Sequence, residues 1–231
     1  NRADDFWTWI QSALEVSYGD RTPVFDLCWR MSSDPNEILN EILTRAIADP
    51  VAADYLSYLI PRHLDAVAAA SKRVHNQALL LKATDALLTY DRYADAGKVW
   101  SQAGRPAPDG ITAPNFEAPQ TGQGFDWRLN KSIGVRHPFP GRIALSGEQP
   151  ESVQLLSQFV GGLHPGTRYQ LTWKSSEAVP GVHWRINGEP TTEFRATAEV
   201  AVLSLWYQRP LGEVRAEATF DLSNVTLSAL H

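Results

Sequence analysis

Arg168-Tyr169-Gln170-Leu171-Thr172-Trp173-Lys174 decides the fold of half the chain. Tyr169, Leu171 and Trp173 share one face of this stretch, and Gln170, Thr172 and Lys174 share the other. A period of two is that of a strand with one buried side. The alternation recurs in Val182, Trp184 and Ile186 against His183, Arg185 and Asn187. It recurs again in Ala216, Ala218, Phe220 and Leu222 against Glu217, Thr219 and Asp221. The apolar phase then slips to Val225 and Leu227, which predicts a bulge near Ser223-Asn224. Roughly eight to ten such strands, with Gly/Pro turns and no intervening helix, predict an all-β two-sheet sandwich over residues 111–231, a barrel being the alternative.

Upstream of residue 104 the period is helical. Thr22-Pro23, Asp34-Pro35 and Asp49-Pro50 each place a capping oxygen before a proline, which has no N–H to lose in a first helical turn. Glu37, three residues after Asp34, completes an approximate capping box. Phe6, Ile10, Ala13 and Leu14 form one apolar stripe; Ile38, Leu39, Ile42, Leu43 and Ala46 form a second. Val51, Tyr55, Leu56 and Leu59 continue the pattern until Ile60-Pro61 stops it. Seven helices of about 11–15 residues are expected from this spacing. Gly104-Arg105-Pro106-Ala107-Pro108-Asp109-Gly110 then forms a short linker between an all-α domain, 1–104, and the sandwich. The fold class is therefore α + β and multidomain.

Within the helices, Leu64-Asp65-Ala66 and Ala94-Asp95-Ala96 lie thirty residues apart, at equivalent points of two expected helical pairs. Tyr93, Ala96 and Trp100 resemble the second helix of a tetratricopeptide repeat. That resemblance implies stacked antiparallel pairs with a concave face, and hence a protein partner docked through the helical repeats. Arg62, Lys72, Arg73, Lys82 and Arg92 would decorate its polar sides.

The sandwich carries an ordered set of landmarks. They run Asn115-Phe116-Glu117, Gly124-Phe125-Asp126-Trp127, Gly141-Arg142-Ile143-Ala144-Leu145 and Gln158-Phe159-Val160. Leu163 to Leu171, with its Pro165-Gly166 turn and Tyr169, follows, and Phe220 to Leu227 closes the series. This order resembles the jelly-roll carbohydrate-binding modules of xylanases and glucanases. The resemblance implies a jelly roll, a polysaccharide ligand and a structural calcium ion held by acids at the two ends of the series. Here Glu117 and Asp221 are the candidate calcium ligands. Ser223-Asn224 stands where the family has paired aspartates, which leaves a metal-free variant, with no cofactor, as the leading expectation.

The remaining chemistry is sparse. A net charge of −5 gives no basic footprint for nucleic acid. No apolar run reaches the roughly 18–20 residues of a bilayer span. The single cysteine, Cys28, excludes an intrachain disulfide and lies in an amphipathic helical segment as a small hydrophobe. His63, His75, His137, His164, His183 and His231 show no ligand spacing for zinc. Neither a nucleophile elbow nor a phosphate loop occurs, and the sequence pairs none of the sandwich's acids across a cleft, so no enzyme is expected. Trp7, Trp9, Trp29, Trp100, Trp173 and Trp184 read as packing residues. The expected ligand surface is the sheet face of His183, Arg185 and Asn187, together with Arg128 and an aromatic platform from Trp127 or Tyr207. Trp206, beside Tyr207, is a further surface candidate.

The chain begins with Asn rather than Met, which raises the expectation of an upstream signal peptide, membrane anchor or further domain. The expected function is that of a non-catalytic, extracytoplasmic binding or scaffold protein. Its helical half would dock a protein, and its sandwich would contact a glycan or a cell-envelope component. The alternatives are an accessory portion of a larger carbohydrate-active enzyme and a purely structural assembly protein.

Overall fold

Proline and a capping oxygen start helices in this protein, though not always at the expected residue. The computed structural model describes residues 2–17, 19–43, 48–117 and 120–230. Helix α1 (Arg2–Val16) buries Trp7, Ile10 and Leu14, while Trp9 is exposed rather than packed. Helix α2 (Thr22–Met31) already contains Thr22, whose N–H donates to Asp20 Oδ1 at 2.9 Å. Asp20, not Thr22, thus supplies the oxygen. Helix α3 (Pro35–Ile42) begins as expected, with the Asp34 carboxylate accepting from the Asn36 N–H. Glu37 does not reach back to the Asp34 N–H; Ser32 Oγ accepts from it and donates to Glu37 instead. Helix α4 (Ala48–Leu59) holds Asp49 inside its first turn, where it is a favourable charge at the positive helix end rather than a cap. Ala46 of the second stripe lies outside the described residues.

After α4 the chain breaks into a short α5 (Val67–Ala70) between two single 3-10 turns, Leu64–Ala66 and Ser71–Arg73. Helices α6 (Gln77–Thr89) and α7 (Tyr93–Gln102) then pack as a hairpin, with Asn76 Oδ1 capping α6 through the Leu79 N–H. Leu64-Asp65-Ala66 is a 3-10 turn and Ala94-Asp95-Ala96 is the start of an α-helix, so the two segments are not structural equivalents. One hairpin replaces the two expected, and helix lengths run from 4 to 15 residues.

Aromatic side chains organise the first unit, Asn1–Ala107. Phe25 meets Tyr55 and Tyr58 at ring separations of 5.2 and 5.4 Å, and Trp29 stacks flat on His63 at 3.7 Å. Cys28 is fully buried in this region, and burial pushes its thiol up to about 12. A thiol so raised has almost no thiolate at neutral pH. Cys28 is therefore expected to resist a thiol reagent at pH 8 in the native protein and to react stoichiometrically in denaturant. Native-state labelling as fast as that of free cysteine would refute the assignment.

The second unit, Pro108–His231, is the sandwich. Its strands are β1 (Arg128–Leu129), β2 (Val135–Arg136), β3 (Arg142–Ser146), β4 (Ser152–Val160), β5 (Arg168–Ser175), β6 (Val182–Ile186), β7 (Glu193–Arg195), β8 (Ala201–Gln208) and β9 (Glu217–Leu230). One sheet has the order β1-β4-β8-β6 and the other β2-β3-β9-β5-β7, with every pairing antiparallel. From β3 to β9 each successive strand crosses to the opposite sheet, which is jelly-roll connectivity. Trp127, Phe116, Tyr207, Leu203 and Phe220 fill the space between the sheets.

The bulge lies where the phase slip predicts it. Thr172 faces Thr226 and Lys174 faces Ser223, so β9 spends one extra residue opposite Trp173. Asn224 takes the left-handed conformation there, φ 50°. Its N–H donates to Asn115 Oδ1 at 2.8 Å, and the Val225 N–H donates to the Pro114 carbonyl at 3.0 Å. Trp173 keeps its inward parity at this end of the sandwich, yet 39% of it is exposed, against the expectation of a packed core residue.

Gly141 fixes the neighbouring contact. Its carbonyl accepts from the Leu222 N–H at 2.8 Å, with φ at 75°. A Cβ there would lie 2.8 Å from the Leu222 carbonyl oxygen and 3.2 Å from the Phe116 ring. Gly141→Ala should lower stability by about 1–3 kcal/mol through both strain and collision. Urea unfolding with an unchanged midpoint would show that β9 relaxes without loss.

Candidate functional site

Strand register lays a polar row straight across the outer face of the four-stranded sheet. Arg128 on β1 faces Ser157 on β4; Ser157 faces Ser204 on β8; Ser204 faces Arg185 on β6. At about 4.8 Å per strand the row spans about 14 Å. The next row holds Gln154, Trp206 and His183. The serines are buried under longer neighbours that lie along the sheet. Gln154 donates to Ser157 Oγ at 3.1 Å, and the Trp206 indole N–H donates to Ser204 Oγ at 2.9 Å.

Arg185 stands at one end of this row, on edge strand β6. Its guanidinium carbon sits 4.6 Å from the Trp206 ring centroid, a cation–π distance. Nε donates to His183 Nε2 at 3.1 Å, and Nη2 donates to Gln208 Oε1 at 3.2 Å. An Nε2 that accepts leaves the ring proton on Nδ1, which faces the Gly181 carbonyl at 3.0 Å. The arrangement therefore needs the neutral ring. At the far end of the row Arg128 lies over Phe159 at 4.7 Å, a second arginine–aromatic pair. Both pairs hold a planar donor fork in one orientation, as recognition of hydroxyl or carboxylate oxygens requires.

Of the six expected ligand residues the sheet face gathers three, Arg128, His183 and Arg185. Asn187 does not join them. It forms with Gly188 a two-residue hairpin turn, φ 51° and 88°, and its Oδ1 accepts from the Val202 N–H at 2.8 Å. Trp127 and Tyr207 are wholly buried and serve as no platform. Trp127 packs on Phe116 at 5.0 Å and donates to the Ala113 carbonyl, and the Tyr207 hydroxyl accepts from the Ala216 N–H. Trp206 is the outward aromatic. The parity of β8 identifies it, because Leu203, Leu205 and Tyr207 face inward and leave Ser204, Trp206 and Gln208 outward. The same parity locates Gln154 and Gln208, to which the sequence reading gave no part.

Glu117 and Asp221 do not fit a calcium site. Both Asp221 oxygens accept from Arg142, at 2.7 and 2.8 Å, and this guanidinium holds its carboxyl below the usual carboxylate range. Glu117 is exposed. Among the described residues no three His, Cys, Asp or Glu side chains converge as metal ligands, and no helix is long and apolar enough to cross a membrane. His231 lies outside the described residues.

No protein-family model matches this sequence, and no curated protein matches it.

Proposed function

We propose that the chain is a non-catalytic binding protein whose sandwich contacts a glycan through the outer face of its four-stranded sheet. The observation that carries this reading is the Arg185 guanidinium held over Trp206 and tied to His183 and Gln208. Such a group is oriented before any ligand arrives, so little freedom is lost on binding. Arg128 and Arg185 at the two ends of one row favour a polysaccharide carrying carboxylates over a neutral one. A binding rather than hydrolytic role is supported by the engagement of two of the sandwich's acids. Asp126 is buried on Thr121, and Asp221 is paired with Arg142.

The helical half, in this reading, docks a protein partner. Trp9 on α1 and Met31 on α2, large apolar side chains left exposed, are the positions at which that docking would be sought. The pairing of a docking half with a glycan-contacting half suits an extracytoplasmic site at the cell envelope.

Affinity electrophoresis of the whole chain through gels containing uronate-rich or neutral polysaccharides tests the sandwich reading. Retardation by the uronate-rich polymer is expected, weakening as salt is raised. Arg185→Ala and Trp206→Ala should each weaken it about tenfold, the scale of a truncated binding hot spot. Far-ultraviolet circular dichroism should be unchanged for both. Unaltered mobility in every polymer, or full binding by both variants, would remove this face from consideration.

A further inference from the structure

We infer that the sandwich binds an extended basic peptide of a partner protein, which adds as a strand to the open edge at the start of β9. Register and hydrogen bonding define that edge. The Leu222 N–H donates to the Gly141 carbonyl, on the β3 side, whereas the Asp221 N–H donates to Ser176 Oγ, on the β5 side. Backbone groups alternate in this way from residue to residue along an antiparallel ladder. Arg142, opposite Asp221, and Ser146, opposite Glu217, turn their own N–H groups away from β9, to the carbonyls of Phe139 and Gly134. Glu217 and Thr219 share the phase of Asp221, so their N–H and C=O groups point away from β3. On that side the last residue of β5, Ser175, faces Leu222, and the Ser176 N–H to the Asp221 carbonyl is the closing bond. The chain then crosses to β6 in the other sheet. Among the described residues nothing pairs with the backbone of Glu217 and Thr219 on this side.

The space beside this edge is a cavity of about 670 Å³, lined by the segment that follows β5 and the segment that leads into β9. Its volume falls within the roughly 300–1,000 Å³ of ligand sites. An unpaired sheet edge is a template for an extended chain, and main-chain bonds supply the affinity. An antiparallel strand in the lane that β5 vacates would exchange two hydrogen bonds with Thr219 and two with Glu217. Its residue opposite Ala218 would turn inward, where Ala218 and Val179 pack on the core, so an apolar side chain fits there. Charge decides the flanking residues. Glu177, Glu213 and Glu217 are exposed at this cavity against one cation, Arg215. None of the three acids has an ion-pair partner among the described residues. Lysine or arginine opposite Glu217 would therefore pair across the strands. A second copy of this chain would instead bring the same acids to the edge, and like charges oppose docking. The edge and its cavity use none of the residues named on the outer face of the four-stranded sheet.

The test uses the whole chain, ¹⁵N-labelled, and a capped heptapeptide of alternating valine and lysine. Fluorescence polarisation of a dye-labelled copy is expected to show saturable binding below about 1 mM, weakening as salt is raised. Hydrogen exchange gives the structural readout. In the free protein the Glu217 and Thr219 amides should exchange fast, and the peptide should slow both. The Ala218 and Phe220 amides, turned toward β3, should be slow with or without it. Changing Glu213→Gln and Glu217→Gln together, both exposed, should leave folding intact and weaken binding about tenfold. Methylating the lysine amide nitrogens of the peptide keeps every charge, removes the donors, and should abolish the protection. Equal binding by the methylated peptide would overturn strand addition, leaving charge alone as the attraction. Full affinity in the glutamine variant, or for a valine–glutamate heptapeptide, would overturn the basic partner. Slowing of both amides at high protein concentration without peptide would overturn it too, by assigning the edge to a second copy. Absence of binding at about 1 mM would remove the edge as a docking site.

Discussion

One hydrogen bond sets the sandwich: the Asn224 N–H to Asn115 Oδ1, at the bulge in β9. Strand β9 is 14 residues long and serves two partners, β3 along its first part and β5 along the rest. A straight strand would carry one apolar phase throughout, since a shift of one residue exchanges the two faces. The bulge resets the phase, so Phe220 and Leu222 face the core before it and Val225 faces the core after it. The opening segment supplies the acceptor for the N–H turned out of the ladder in that bend. The same segment offers the Pro114 carbonyl to Val225 and lays Phe116 on Trp127. The opening segment of the sandwich and its last strand are thereby closed on each other, across 109 residues of sequence.

This explains why a resemblance can be persuasive about fold and silent about ligand. The residues that carry it have structural tasks. Phe116 is buried against Trp127, and Gly141 lets β9 approach. Gln158 is buried and donates to Thr112, and the Tyr169 hydroxyl accepts from the His164 N–H to close the Pro-Gly turn. None of these lies on the outer sheet face. A sequence can retain all of them and exchange every ligand contact, because fold and site are held by different side chains.

Period and phase made the architecture legible. Alternation located β5, β6 and β9, the phase slip located the bulge, and proline with capping oxygens located the early helices to within a residue or two. What alternation cannot supply is the depth of a side chain within the element. Trp127 has charged neighbours on both sides and is nonetheless buried, because it precedes its strand and turns inward over Phe116. Trp173 has the inward parity of Tyr169 and Leu171 and is nonetheless partly exposed, because the sandwich opens beside it. Asn187 continues the polar phase of His183 and Arg185, but the following Gly188 converts it to a turn residue. In the helical half a thirty-residue spacing resembled a repeat, yet one of its copies winds as 3-10 turns around a four-residue helix.

The outer sheet face, as the proposed glycan surface, offers orientation rather than unmet polar groups. On the sheet face nearly every polar group already has a protein partner: Arg185 with His183 and Gln208, Trp206 with Ser204, Gln154 with Ser157. A ligand there gains from fixed orientation and must add bonds to a network that is already satisfied. The proposed sheet-face site therefore suits a long, many-contact ligand laid across strands.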